Sequence, residues 1–159
     1  MEEMRLSRET LEAARTWRES ILAPRSSSEP GGRSDMTLPK IMIVEDNLIL
    51  ALEMEDTLRD AGFDVIGVAA SADQALTLAN EHRPALAIMD IRLPGKRDGI
   101  DAAIALRETY GIRSVFASAH SAPDMRERAT AAQPAGWVTK PYAMSQLVEI
   151  IRQVLGTRA

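Results

Sequence analysis

The chain has 159 residues, with 23 acidic against 19 basic side chains, a formal net charge of −4 and no cysteine. That length is enough to bury one sizeable core, and the mildly acidic balance speaks against a general nucleic-acid surface. Without cysteine there are no disulfides and no thiolate metal sites, no apolar stretch approaches a membrane span, and the Met1-Glu2-Glu3 start is unlike a secretory leader, so a cytoplasmic protein is expected.

In chain order, residues 3–22 carry Leu11, Ala14, Arg18 and Ile21 at helical spacing, with Trp17 beside them and charges all around. This reads either as an exposed tail helix or as a docking or dimerisation helix, and an isolated helix of this length is marginal in water. Residues 24–39, "PRSSSEPGGRSDMTLP", are dominated by Pro, Ser and Gly and read as a disordered linker. The expected division is a tail over 1–37 and a folded domain over 38–157, with Met36 as an alternative start. From Lys40 the pattern becomes regular. "KIMIVE" predicts a first strand, and Leu50, Met54, Leu58 and Ala61 then mark one stripe of a helix that Gly62 stops. "DVIGVAA" predicts a second strand. Ser71, with Gln74 three residues on, suits a capping box for a helix burying Ala72, Ala75, Leu76 and Ala79. "ALAIMD" predicts a third strand ending at Asp90, followed by a polar loop, "IRLPGKRD", and a helix marked by Ile100, Ala103 and Ile104. The charges of "GKRDG" read as a mobile loop. "SVFAS" predicts a fourth strand, and Met125, Ala129 and Ala132 a short, weakly apolar helix. "GWVT" predicts a fifth strand, and Leu147, Ile150, Ile151 and Val154 the stripe of a last helix. Five near-continuous apolar strands, each followed by a helix, predict an α/β fold with a parallel sheet covered on both faces.

In such sheets ligands bind beyond the carboxyl ends of the strands. Those ends carry Glu45 and Asp46 after the first strand, Asp90 after the third, Ser118 at the fourth and Lys140 after the fifth. Three carboxylates on one rim repel one another and call for a hard divalent cation, magnesium rather than zinc. A lysine balances charge and contacts a phosphoryl oxygen, and a hydroxyl hydrogen-bonds the same group. The set suits phosphoryl transfer to a carboxylate, with Asp90 as the nucleophile. Residue by residue there are plainer readings. Asp46 suits the N-cap of the first helix, Asp90 and Ser118 suit turns, and Lys140 suits a surface charge. His120 reads as a surface loop residue beside the site and His82 as solvated.

The span from Lys40 to about Leu155 resembles the receiver domain of bacterial two-component response regulators. "VEDN", "IMDIRLPG", "FASA" and "WVTKPY" carry the resemblance, in the expected order. It implies a (βα)5 flavodoxin-like sheet of strand order 2-1-3-4-5. It also implies Asp90 as phosphoacceptor, Asp46 as direct magnesium ligand, Glu45 as its partner through water, and the backbone carbonyl of Arg92 as a further ligand. Ser118 matches the switch hydroxyl, Lys140 the phosphoryl-contacting lysine, and the Lys140–Pro141 bond is expected to be cis. Arg92 and His120 occupy positions that influence attack by water. Three features depart from the common pattern: Glu45 stands where Asp is usual, Trp137 where a Tyr or Phe switch is usual, and the loop after Asp90 is long. "VFASAHS" further resembles the "FATGY" motif of an alphaproteobacterial subgroup that works with kinases of the histidine-tryptophan-glutamate type. Since the sequence ends soon after the last helix, the expectation is a stand-alone receiver, regulatory rather than enzymatic, monomeric or weakly dimeric. Its partners are a histidine kinase or histidine phosphotransfer protein and a downstream protein target, with no nucleic acid and no membrane. A pseudo-receiver that binds partners without phosphorylation is the alternative. A haloacid-dehalogenase-like phosphatase would need a D-x-D nucleophile on the first strand, and a flavin carrier would need a small polar loop where "EDNLIL" stands.

Overall fold

The four apolar side chains of β1 (Lys40–Val44) are all buried, and its two faces separate cleanly. Met42 and Val44 enter one core layer, and Ile41 and Ile43 enter the other. A strand apolar on both faces has to be covered on both. The same alternation runs through β3 (Leu86–Met89), with Ala87 and Met89 on the first layer and Leu86 and Ile88 on the second. With β2 (Asp64–Ala69), β4 (Arg113–Ser118) and β5 (Gly136–Thr139) these strands form one parallel sheet of order β2-β1-β3-β4-β5. The strand order reverses between β1 and β3, and the predicted doubly wound flavodoxin-like topology is the one observed. This description comes from a computed structural model covering residues 38–119 and 122–156. The tail helix, Trp17, the linker up to residue 37 and His120 lie outside the described residues.

Helices α1 (Leu48–Asp60) and α5 (Met144–Leu155) cover the Ile41/Ile43 face through Ala51, Met54, Leu58, Leu147, Val148 and Ile151. Helices α2 (Ala72–His82), α3 (Gly99–Tyr110) and α4 (Pro123–Ala129) cover the other. Each fully buried Leu, Ile or Met contributes about 1.5–3 kcal/mol of burial. In α2 only alanines are fully buried, and Leu76 is half-buried rather than buried as its spacing suggested. Small residues there let the helix lie close to the sheet. α4 is one short helix continued by a 3-10 turn at Thr130–Ala132, with Ala129 and Ala132 buried and Met125 only partly so.

The helix starts follow from side-chain caps. Asn47, not Asp46, caps α1, accepting from the Leu50 N–H at 3.2 Å. The Asp46 side chain is left exposed at the rim. Ser71 caps α2 by accepting from the Gln74 N–H, but Gln74 Oε1 reaches back to the Ala70 N–H instead of closing a reciprocal box on Ser71. Asp98 caps α3 and forms the full reciprocal box with Asp101, at 3.0 Å each way. The last two residues of "GKRDG" are therefore a helix start, while Gly95, Lys96 and Arg97 before them are exposed.

Candidate functional site

Backbone hydrogen bonds continue the sheet one residue past three strands. The N–H of Glu45 donates to Ala69 O, that of Asp90 to Val44 O and that of Lys140 to Ser118 O, at 2.9–3.0 Å. This extension, rather than loop conformation, brings the three residues to one rim at the point where the strand order reverses. Glu45 is 3 % exposed and Asp90 8 %, while Asp46 is exposed. Carboxylate oxygens of Glu45, Asp46 and Asp90 lie within 4.8 Å of one another. Ser118 is buried at the end of β4, level with Thr139 of β5.

Lys140 is the cation that makes this tolerable. Its Nζ donates to Glu45 Oε2 at 3.0 Å and to Asp90 Oδ2 at 3.3 Å. Burial works against the Lys140 ammonium, but the hydrogen bond to Glu45 and the charges of Asp90 and Glu45 outweigh it and hold its pKa above the ordinary lysine value. Glu45 is raised above an ordinary glutamate, first by burial and also by the Asp90 charge, although Lys140 and the Asn47 N–H favour its ionised form. The Lys140–Pro141 peptide bond is cis.

Arg92 lies two residues past Asp90 with its side chain exposed. The loop that contains it is closed where the Gly99 N–H donates to Ile91 O at 2.7 Å. Trp137 is half-buried. Its ring lies 4.9 Å from that of Phe116, and the Arg126 guanidinium stands over it, 4.6 Å from its centroid. His82 is exposed beside Glu81.

Three carboxylates and one ammonium leave two uncompensated negative charges on this rim, all presented through oxygen. That donor set fits a hard divalent ion that keeps several waters. Two residues around the site were not singled out from sequence. Gly99 is buried against the Asp90 backbone, and the "DGID" pattern of a capped helix was its only local signal. Arg128 of α4 reaches Asp98 Oδ1 and Oδ2 at 2.6 Å and Asp101 Oδ1 at 3.5 Å, a tie over 30 positions with no local signal at all.

Residues 41–152 match the response regulator receiver domain family, and the chain belongs to that family. It is 33% identical over 123 residues to the transcriptional regulatory protein PdtaR of Mycobacterium tuberculosis, covering 77% of this chain and 60% of that protein. It is 32% identical to the polar-differentiation response regulator DivK of Brucella anthropi, covering 75% of this chain and 98% of DivK. Among solved structures, the signal receiver domain of a modulated diguanylate cyclase from Desulfovibrio desulfuricans G20 superposes with a TM-score of 0.70 at 30% identity, covering 76% of this chain and 95% of that one. The chain thus spans about three fifths of PdtaR but nearly the whole of DivK. No helix among the described residues is long and apolar enough to cross a membrane.

Proposed function

We propose that the protein is a phosphorylation-gated binding module. Asp90 accepts a phosphoryl group from a histidine kinase or histidine phosphotransfer protein, and the altered surface then engages a protein target. The observation that carries this reading is the Lys140 ammonium held between two buried carboxylates, Glu45 and Asp90, with Asp46 exposed beside them. Mg2+ would be held by Asp46 and Asp90, by Glu45 through water and by the Arg92 backbone carbonyl. When bound it supplies charge neutralisation at the phosphoryl group.

Asp90 attacks phosphorus through a carboxylate oxygen, and the bond from phosphorus to the donor imidazole breaks. Lys140 moves its hydrogen bond from the Asp90 carboxylate to the transferred phosphoryl oxygens. Ser118, buried beside it, donates its hydroxyl to the same group. Trp137 and α4 respond, because Trp137 packs on Phe116 of β4 and α4 is the next element along the chain after Ser118. The subgroup resemblance carried by "VFASAHS", and with it a kinase of the histidine-tryptophan-glutamate type, belongs to this proposal, as does a regulatory rather than enzymatic role in the cytoplasm. The near-complete span of DivK supports a receiver that acts through its own surface.

Intact-mass spectrometry after incubation with acetyl phosphate, with and without Mg2+, tests the reading. One added phosphoryl group is expected, dependent on Mg2+ and absent from Asp90→Ala. A protein that takes no phosphate from acetyl phosphate or a phosphohistidine donor, and binds no Mg2+, would instead be a phosphorylation-independent binding module.

A further inference from the structure

Helix α4 and the 3-10 turn after it rest on the Met42/Val44 face of the sheet through Ala129 and Ala132, with Met125 only partly buried. A buried methyl group apiece is a weak hold. Three buried polar side-chain atoms among the described residues lack a hydrogen-bond partner: Ser114 Oγ, Trp137 Nε1 and the Tyr142 hydroxyl. Tyr142 packs on the opposite layer. The other two belong to the face that α4 covers, since Trp137 packs against that cluster and Ser114 precedes Phe116 by two positions on β4. Buried polar atoms normally find partners, so the packing beneath α4 does little to fix the helix where it lies.

Charge fixes it instead. Arg128 Nη2 stands 2.6 Å from both carboxylate oxygens of Asp98 and 3.5 Å from Asp101 Oδ1. Those two aspartates form the reciprocal cap of α3. The next residue, Gly99, is buried against the Asp90 backbone and donates its N–H to Ile91 O. The anchor of α4 therefore lies one residue from a backbone contact with the phosphoacceptor, on a route that passes through neither Ser118 nor Trp137. Arg128 holds α3 while Arg126 holds Trp137 of β5, so a shift of α4 relative to α3 has to break the Arg128 contacts. We propose that Arg128 is a positioning residue that latches α4 to the N-terminus of α3 in the unphosphorylated protein, and that the latch opens when Asp90 carries a phosphoryl group. This rests on Asp90 being the phosphoacceptor. A contact made only in the resting state opposes phosphoryl binding, so by linkage a change that breaks it tightens the hold on the phosphoryl group.

Beryllofluoride with Mg2+ stands in for the phosphoryl group, and its apparent dissociation constant is measured by fluorine NMR on the full chain. The proteins are the parent, Arg128→Ala, Asp98→Asn and the double variant; asparagine still caps α3. Removing a cation and removing an anion change the field at Asp90 in opposite senses, whereas opening a latch acts in one sense. Each single variant should bind beryllofluoride about three- to fivefold more tightly than the parent, the range an exposed ion pair supplies. The double variant should bind no more tightly than the better single one, because the latch is broken only once. Amide hydrogen exchange over residues 123–132 of unliganded Arg128→Ala should rise to the level of the beryllofluoride-bound parent. Tighter binding in one single variant with weaker binding in the other would make the effect one of field and overturn the latch. Weaker binding in both, with a lower melting temperature, would make the pair a structural support, and fully additive effects would also overturn the proposal. A parent that binds no beryllofluoride in the presence of Mg2+ overturns the functional reading and this inference together. A parent that binds it beside single variants within twofold of its affinity overturns the inference alone.

Discussion

A methyl group at Gly99 would stand 1.8 Å from the carbonyl oxygen of Asp90 and 2.8 Å from the α-carbon of Ile91. Both are backbone atoms, so no side chain can swing aside to relieve the overlap. The same residue donates its N–H to Ile91 O, so the first turn of α3 and the strand end carrying Asp90 are pressed together through one glycine. Gly99→Ala is expected to destabilise by about 3 kcal/mol, the upper end of overpacking effects, read from the urea midpoint. It should also weaken Mg2+-dependent phosphorylation more than its stability loss explains, because the Asp90 peptide has to shift. An unchanged midpoint would mean that the approach is not tight in solution.

At the scale of elements, α4 is the weakest part of the layer that covers Met42 and Val44: seven residues, with one buried side chain and no side-chain cap at its N-terminus. Two arginines tie it down. Arg126 lies over Trp137 of β5, and Arg128 grips Asp98 and Asp101 at the N-terminus of α3. The second tie joins α4 to the end of the loop that follows Asp90, which is the right place for a change at Asp90 to be felt. Burial opposes the Asp98 charge, but the Arg128 hydrogen bond, with the Asp101 contacts, holds its carboxyl below the ordinary aspartate value. A lowered folded pKa means a contribution fully present above the unfolded pKa of about 4 and lost as pH falls through the lower, folded value. Asp98→Ala, which also removes the α3 cap, should cost about 1–2 kcal/mol at neutral pH. Arg128→Ala should cost less than about 1 kcal/mol, as exposed ion pairs do, and its penalty should fade in acid. Urea midpoints of the parent and both variants between about pH 2 and pH 7 measure this. A penalty for Arg128→Ala that persists at the acid end would assign it to packing instead.

For the whole molecule, both core layers are closed by residues between Ile41 and Ile151. A chain beginning at Met36 should therefore melt within a few degrees of the full protein and retain Mg2+-dependent phosphorylation. Loss of either would show that the first 35 residues belong to the working unit. Much of this architecture was legible beforehand, since strand burial on both faces and helical spacing are local patterns that depend on neighbours a few positions away. The order of acids and lysine along the chain, joined to the rule that strand ends share a rim, was enough to nominate Glu45, Asp46, Asp90, Ser118 and Lys140. The structure alone supplied the distances. Lys140 meets Glu45 across 95 positions and Asp90 across 50, contacts set by sheet register and by how deeply each strand end is buried. Gly99 against the Asp90 carbonyl, Arg128 against Asp98 and the enclosed Tyr142 hydroxyl have the same origin. Periodicity says which face of an element is buried, but the approach of two elements to within a van der Waals radius depends on every side chain packed between them.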